Sequence, residues 1–79
     1  CLDAYQAQNG GGVHVWDCDV SNGNQKWTFD ATTGQLRHGT FKGFCLDVQS
    51  ESGATPYLWT CHDSNDYWFK FQTFKYEAV

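Results

Sequence analysis

The tripeptide Cys1-Leu2-Asp3 returns as Cys45-Leu46-Asp47, and Val15-Trp16-Asp17-Cys18 returns as Leu58-Trp59-Thr60-Cys61. A third pair, Asn24 with Trp27 and Asn65 with Trp68, follows in the same order. The offset falls from 44 to 43 to 41 residues along the chain, which puts shorter turns in the second copy. Turns are where length changes are tolerated. This duplication restricts the fold more than any other feature. A supersecondary unit written twice must bury its apolar face against its copy or against further units.

Each copy reads as short strands. No apolar period of 3.6 runs through ten residues, and Gly, Asn and Ser clusters interrupt the chain roughly every 8–12 residues, the all-β pattern. Strands are predicted near 2–5, 13–18, 25–30, 35–38, 44–48, 56–61, 67–71 and 74–77. Loops fall at 8–12, 19–24, 31–34, 49–55 and 62–66. One domain over 1–79 is expected, with the first unit at about 1–34 and the second at about 35–79.

A 79-residue chain buries only a modest core, so staples or partners are expected. Four cysteines without a methionine point to two disulfides and an extracytoplasmic, secreted setting. Zinc ligands come in pairs two to four residues apart. The cysteine gaps here are 17, 27 and 16, and no metal or other cofactor is expected. Four cysteines allow three connectivities. Symmetry favours Cys1–Cys18 and Cys45–Cys61, each adding roughly 3 kcal/mol by restricting the unfolded chain. A net charge of −4 with five Lys and Arg offers no basic stripe for nucleic acid. No apolar run is long enough to span a membrane, and without a Met start or a leader the chain reads as mature or excised material. Its aromatic content of 18 % sits in an otherwise polar chain of mean hydropathy −0.58.

Cys-Leu-Asp, then Trp-x-Cys, then Asn-Gln-x-Trp resembles the repeat of ricin B-chain-type lectins, the QxW β-trefoil family, over nearly the whole chain. The resemblance implies an all-β fold of trefoil-type repeats, stapled by disulfides. A trefoil has three units and this chain has two, so an incomplete trefoil is expected, completed by association of chains or belonging to a larger protein. Gln25-Lys26-Trp27 is an intact QxW, whereas Asp66-Tyr67-Trp68 carries Asp at the first position. In an incomplete trefoil Leu36, Phe44 and Phe74 would form an exposed apolar patch, which favours a homo-oligomer.

Strand alternation selects the ligand face. In 13–16 the valines share one face while His14 and Trp16 share the other. In 56–59 Leu58 takes the core face and Tyr57 and Trp59 the opposite one. A pyranose packs its C–H face on an aromatic ring and offers hydroxyls to directional partners, which a carboxylate or an amide supplies. Asp3 with Trp16 and Asn24, and Asp47 with Trp59 and Asn65, make two such sets. By resemblance they match the family's sugar-binding aspartate, stacking aromatic and asparagine. Gln25 matches its supporting glutamine, and His14 and Tyr57 a second contact position.

Asp66 in place of that glutamine would set a second carboxylate near Asp47 and shift its protonation or rotamer. The first site is therefore expected to be intact and the second degenerate. Simpler roles compete: Asp3 and Asp47 as turn caps, Trp16 and Trp59 as surfaces covered by a partner. Trp27 and Trp68 are expected in the core, and His38 in a solvated turn.

No nucleophile or zinc-hydrolase motif occurs, and a shallow site gives little means of excluding water, so catalysis is not expected. The reading is a non-catalytic carbohydrate-binding module for galactose or N-acetylgalactosamine, with xylan fragments as the leading alternative ligand. The competing function is a structural or protein-interaction segment of a larger secreted protein whose sugar sites are lost.

Overall fold

The structure, a computed structural model, describes residues 1–49 and 54–75. Six strands form one antiparallel sheet, curled into a half-barrel: β1 (Leu2–Ala4), β2 (Gly11–Val15), β3 (Trp27–Asp30), β4 (Gln35–His38), β5 (Phe44–Asp47) and β6 (Tyr57–Thr60). Their spatial order is β1-β2-β6-β5-β4-β3. Two 3₁₀ helices, Gly23–Gln25 and Tyr67–Gln72, follow β2 and β6. Disulfides join Cys1 to Cys18 and Cys45 to Cys61, one within each unit.

Register shows why the repeat folds alike twice. Leu2 faces Val15 and Asp3 faces His14 across β1–β2, while Leu46 faces Leu58 and Asp47 faces Tyr57 across β5–β6. The strand expected from residue 13 begins earlier, at Gly11, because Gly11 and Gly12 pair with Leu58 and Tyr57 and join the units. Both positions exclude side chains: at Gly11 one would run into the Gln6 carbonyl, at Gly12 into the Tyr5 ring. The hairpin tip is bolted to β6, with the Gly10 amide donating to the Leu58 carbonyl at 2.8 Å and the Thr60 amide to Asn9 Oδ1 at 2.7 Å.

The strand expected at 67–71 is instead the second 3₁₀ helix. Asp66 accepts from the Trp68 amide at 2.8 Å, a side-chain cap that begins a helical turn and outweighs the aromatic strand signal. Of the strand expected at 74–77, residues 74–75 are not in a strand, a single bridge from Thr73 to Gln35 lying just before them, and 76–77 lie outside the described residues.

Ala4, Val13, Leu46 and Leu58 form the buried core, ringed by Leu2, Trp27, Leu36, Phe41, Phe44, Val48 and Phe74. Leu36, Phe44 and Phe74 thus pack against the core and do not form the exposed patch the sequence suggested. The open place is Val15. It occupies the register of Leu58, yet is 78 % exposed where Leu58 is fully buried: Leu58 is paired on both sides, with Gly11 and Leu46, whereas among the described residues Val15 is paired only with Leu2 of the edge strand. Trp27 packs as expected and donates from Nε1 to the Leu2 carbonyl at 3.0 Å, but Trp68 is half exposed.

His38 is buried, not solvated. Its Nδ1 accepts from the Thr40 and Phe41 amides at 3.1 and 3.0 Å, so Nε2 carries the proton and donates to the Asn24 carbonyl at 3.0 Å. Burial holds its pKa below the ordinary value, against a smaller opposing effect of the Asn24 carbonyl. Below an ordinary value of about 6.5 the unfolded chain therefore binds the proton more readily. Stability is present above that pH and is lost as pH falls through it. Thermal melts between pH 7.5 and 5.5 are expected to show a falling Tm in the parent and a shallower slope in His38→Gln; equal slopes would remove His38 as the source.

Candidate functional site

Each unit builds a buried aspartate, Asp3 within β1 and Asp47 at the end of β5, opposite an aromatic residue on the next strand. Asp3 is 2 % exposed and Asp47 3 %. A carboxylate so removed from water requires hydrogen-bond partners.

Around Asp3 both carboxylate oxygens have partners. Oδ1 lies 3.1 Å from His14 Nε2, and Oδ2 accepts from Gln25 Nε2 at 3.1 Å and Asn22 Nδ2 at 3.3 Å. Gln25 also donates to the Asp17 carbonyl and accepts from the Asp19 amide, at 2.8 and 2.9 Å. The His14 ring stacks on Trp16, centroids 5.0 Å apart, and touches Tyr5 on its other side at 4.4 Å. The amide that reaches Asp3 belongs to Asn22, which was not singled out in the sequence. Asn22 also caps the first 3₁₀ helix by accepting from the Asn24 amide at 3.0 Å, a role its place before Gly23 could have signalled. Asn24 itself is half-buried.

Around Asp47 the pattern repeats through a residue the sequence reading overlooked. Gln72 Nε2 donates to Asp47 Oδ2 at 3.1 Å and to the Thr60 carbonyl at 3.0 Å, while its Oε1 accepts from the His62 amide at 2.8 Å. These partners match those of Gln25 one for one, so Gln72, not Asp66, is its counterpart. Trp27 then corresponds to Phe74, each two residues beyond its glutamine. The second unit is longer here, with a six-residue 3₁₀ helix where the first has three. Asp66 serves as the helix cap, its other oxygen 3.4 Å from His62 Nδ1, and Asn65 is exposed in the preceding turn. Gln35 supports Gln72 from behind, donating to its Oε1 at 3.1 Å; both are fully buried.

The two carboxylates differ in what remains free. Among the described residues, Asp47 Oδ1 is buried without a hydrogen-bond partner, where His14 fills the equivalent atom of Asp3. Asp47 lines a cleft of about 580 Å³ together with Tyr5, Gly12, Tyr57, Trp59 and Trp68. The Tyr57 and Trp59 rings meet edge to face at 6.2 Å. Burial raises the Tyr57 pKa, partly offset by a hydrogen bond from Gln49, and the Asp47 carboxylate adds to the rise both by its charge and as a hydrogen-bond acceptor beside the phenol. The phenol therefore keeps its proton.

The sequence model of the ricin-type β-trefoil lectin domain matches residues 1–76. The chain is 40 % identical over 48 residues to N-acetylgalactosaminyltransferase 6 of Drosophila melanogaster, covering 61 % of this chain and 7 % of that protein. It is 38 % identical over 56 residues to polypeptide N-acetylgalactosaminyltransferase 8 of the same organism, covering 68 % of this chain and 9 % of that protein. The chain thus spans less than a tenth of the length of these relatives. No solved structure matches it. With paired Asp–Gln units, two intra-unit disulfides and a family match over nearly its whole length, the chain belongs to the ricin-type β-trefoil lectin domain family.

Proposed function

We propose that the chain is a non-catalytic carbohydrate-binding module whose open site is built on Asp47. The observation that carries this reading is a buried, glutamine-oriented carboxylate lining the cleft beside Tyr57 and Trp59, whose Oδ1 makes no hydrogen bond of ordinary length among the described residues. Such an atom accepts strongly from a sugar hydroxyl while an indole takes the C–H face. The ranking expected from the Gln-to-Asp change is thereby reversed. Asp3, engaged at both oxygens by His14, Asn22 and Gln25, acts chiefly in holding its unit together, with Trp16 left as an aromatic surface.

A galactose-type sugar is the ligand of choice, and N-acetylgalactosamine is favoured by the names of the relatives. Those relatives extend far beyond the matched segment, so their transferase names carry no activity to this chain. Two disulfides fit an extracytoplasmic setting.

Two-dimensional NMR of the four Trp indoles during addition of N-acetylgalactosamine and of galactose tests the reading. The Trp59 signal is expected to shift. Four unmoved indoles in a well-dispersed spectrum would favour the protein-interaction segment instead.

A further inference from the structure

Resting on that lectin reading, we infer that the Asp47 site is one end of a continuous aromatic track, and that its ligand is a linear oligosaccharide spanning both units. The argument begins with register. Residues directly opposite in an antiparallel pair share a face, as do residues two apart along a strand. Asp3 faces His14, Gly12 is two residues from His14 and faces Tyr57, and Tyr57 faces Asp47. All five positions therefore share one face. Two residues on from Asp3, His14 and Tyr57 come Tyr5, Trp16 and Trp59.

Ring contacts close most of the gaps. Trp16 stacks on His14 at 5.0 Å, and His14 meets Tyr5 at 4.4 Å. The Tyr5 ring lies across Gly12, which the absence of a side chain there permits, and so enters the cleft that Tyr57, Trp59 and Asp47 line. Tyr5 is half exposed, as are Trp16 and, to a lesser degree, Trp59. Three inter-strand steps and two residues along β2 put Asp3 and Asp47 about 16 Å apart along the sheet. A single pyranose cannot reach across that distance; a short linear glycan can.

The chemistry is graded along the track. At the Asp47 end one carboxylate oxygen makes no hydrogen bond of ordinary length among the described residues, and it orients one sugar. Toward Trp16 the carboxylate is already engaged by His14, so that end offers rings without a strong acceptor. Such a surface favours stacking of successive sugar rings over recognition of a terminal residue. It fits one chain-like ligand better than two separate monosaccharides, and each additional stacked ring adds to the affinity of a ligand already anchored.

Calorimetry and indole NMR on the wild-type chain provide the test, with galactose against β-1,4-galactotetraose and xylose against xylotetraose. For at least one series, one tetrasaccharide should bind per chain, tenfold or more tighter than its monosaccharide, and the Trp16 and Trp59 signals should move with one midpoint. In Tyr5→Ala the gain on lengthening should drop below threefold. Two tetrasaccharides per chain, or separate midpoints for the two indoles, would overturn the track even if that variant fails to fold. Monosaccharide binding at Trp59 with no gain on lengthening in either series would overturn the track and leave the lectin reading standing. No response to either series overturns both.

Discussion

Asp47→Ala is expected to reduce glycan binding tenfold or more, whereas Asp3→Ala is expected to act first on stability. A hydrogen bond to a charged acceptor contributes about 1.5–3 kcal/mol, and each 1.4 kcal/mol is about tenfold in affinity. Among the described residues Asp47 Oδ1 makes no hydrogen bond of ordinary length, and the Asp47 carboxyl lines the cleft. Asp3, by contrast, gathers His14 from β2 and Asn22 and Gln25 from the capped 3₁₀ turn that follows it. Its removal strands several donors in a part-buried site, at about 1–3 kcal/mol for each group left unsatisfied. A loss of about 3 kcal/mol would lower the Tm by more than about 12 °C in a domain of this size. Titration and thermal melts of the two variants decide the matter together. Weakened binding in Asp3→Ala at an unchanged Tm would restore the first site to the leading place.

Removing the Cys45–Cys61 bridge, as Cys45→Ala with Cys61→Ala, is expected to leave the chain without a cooperative fold at 37 °C. Loss of a native disulfide from a small domain costs about 2–5 kcal/mol. A chain of this length holds only about 4–12 kcal/mol in total, and its buried apolar core is four aliphatic side chains. This bridge also anchors the end of β6 against the start of β5, with Cys45 fully buried. The Cys1–Cys18 bridge is exposed and ties down an edge strand, so its removal should cost less. Near-UV circular dichroism and melts give the comparison. A double variant melting within 5 °C of the parent would show that the core holds without its staple.

Where the sequence reading succeeded and where it failed follows from which signals are local. The repeated Cys-Leu-Asp and Trp-x-Cys segments each place an aspartate opposite a ring through strand register alone, and both were legible. The counterpart of Gln25 was not. Asp66-Tyr67-Trp68 stands at nearly the right distance and imitates the motif, while Gln72-Thr73-Phe74 lies beyond extra residues coiled into a 3₁₀ helix. Length added within a turn leaves no mark on the alternation that follows it, so spacing misled. Val15 shows a different limit: alternation gave its face correctly, but burial depends on whether another strand covers that face. His38 was misread because a short Arg-His-Gly-Thr stretch looks like an exposed turn, while its partner Asn24 lies far away in sequence.

The longer second helix has one more consequence. Gln72 keeps the same three partners as Gln25 although the path leading to it differs in length, so the carboxylate is held independently of the residues in between. Trp68 sits on that path and reaches the cleft. A lineage carrying this domain can therefore lengthen, shorten or rewrite the segment between Cys61 and Gln72, and with it the shape of what is recognised, without disturbing the anchor. Selectivity and anchoring are separately evolvable here, and a library confined to residues 63–71 is the natural place to retarget the domain.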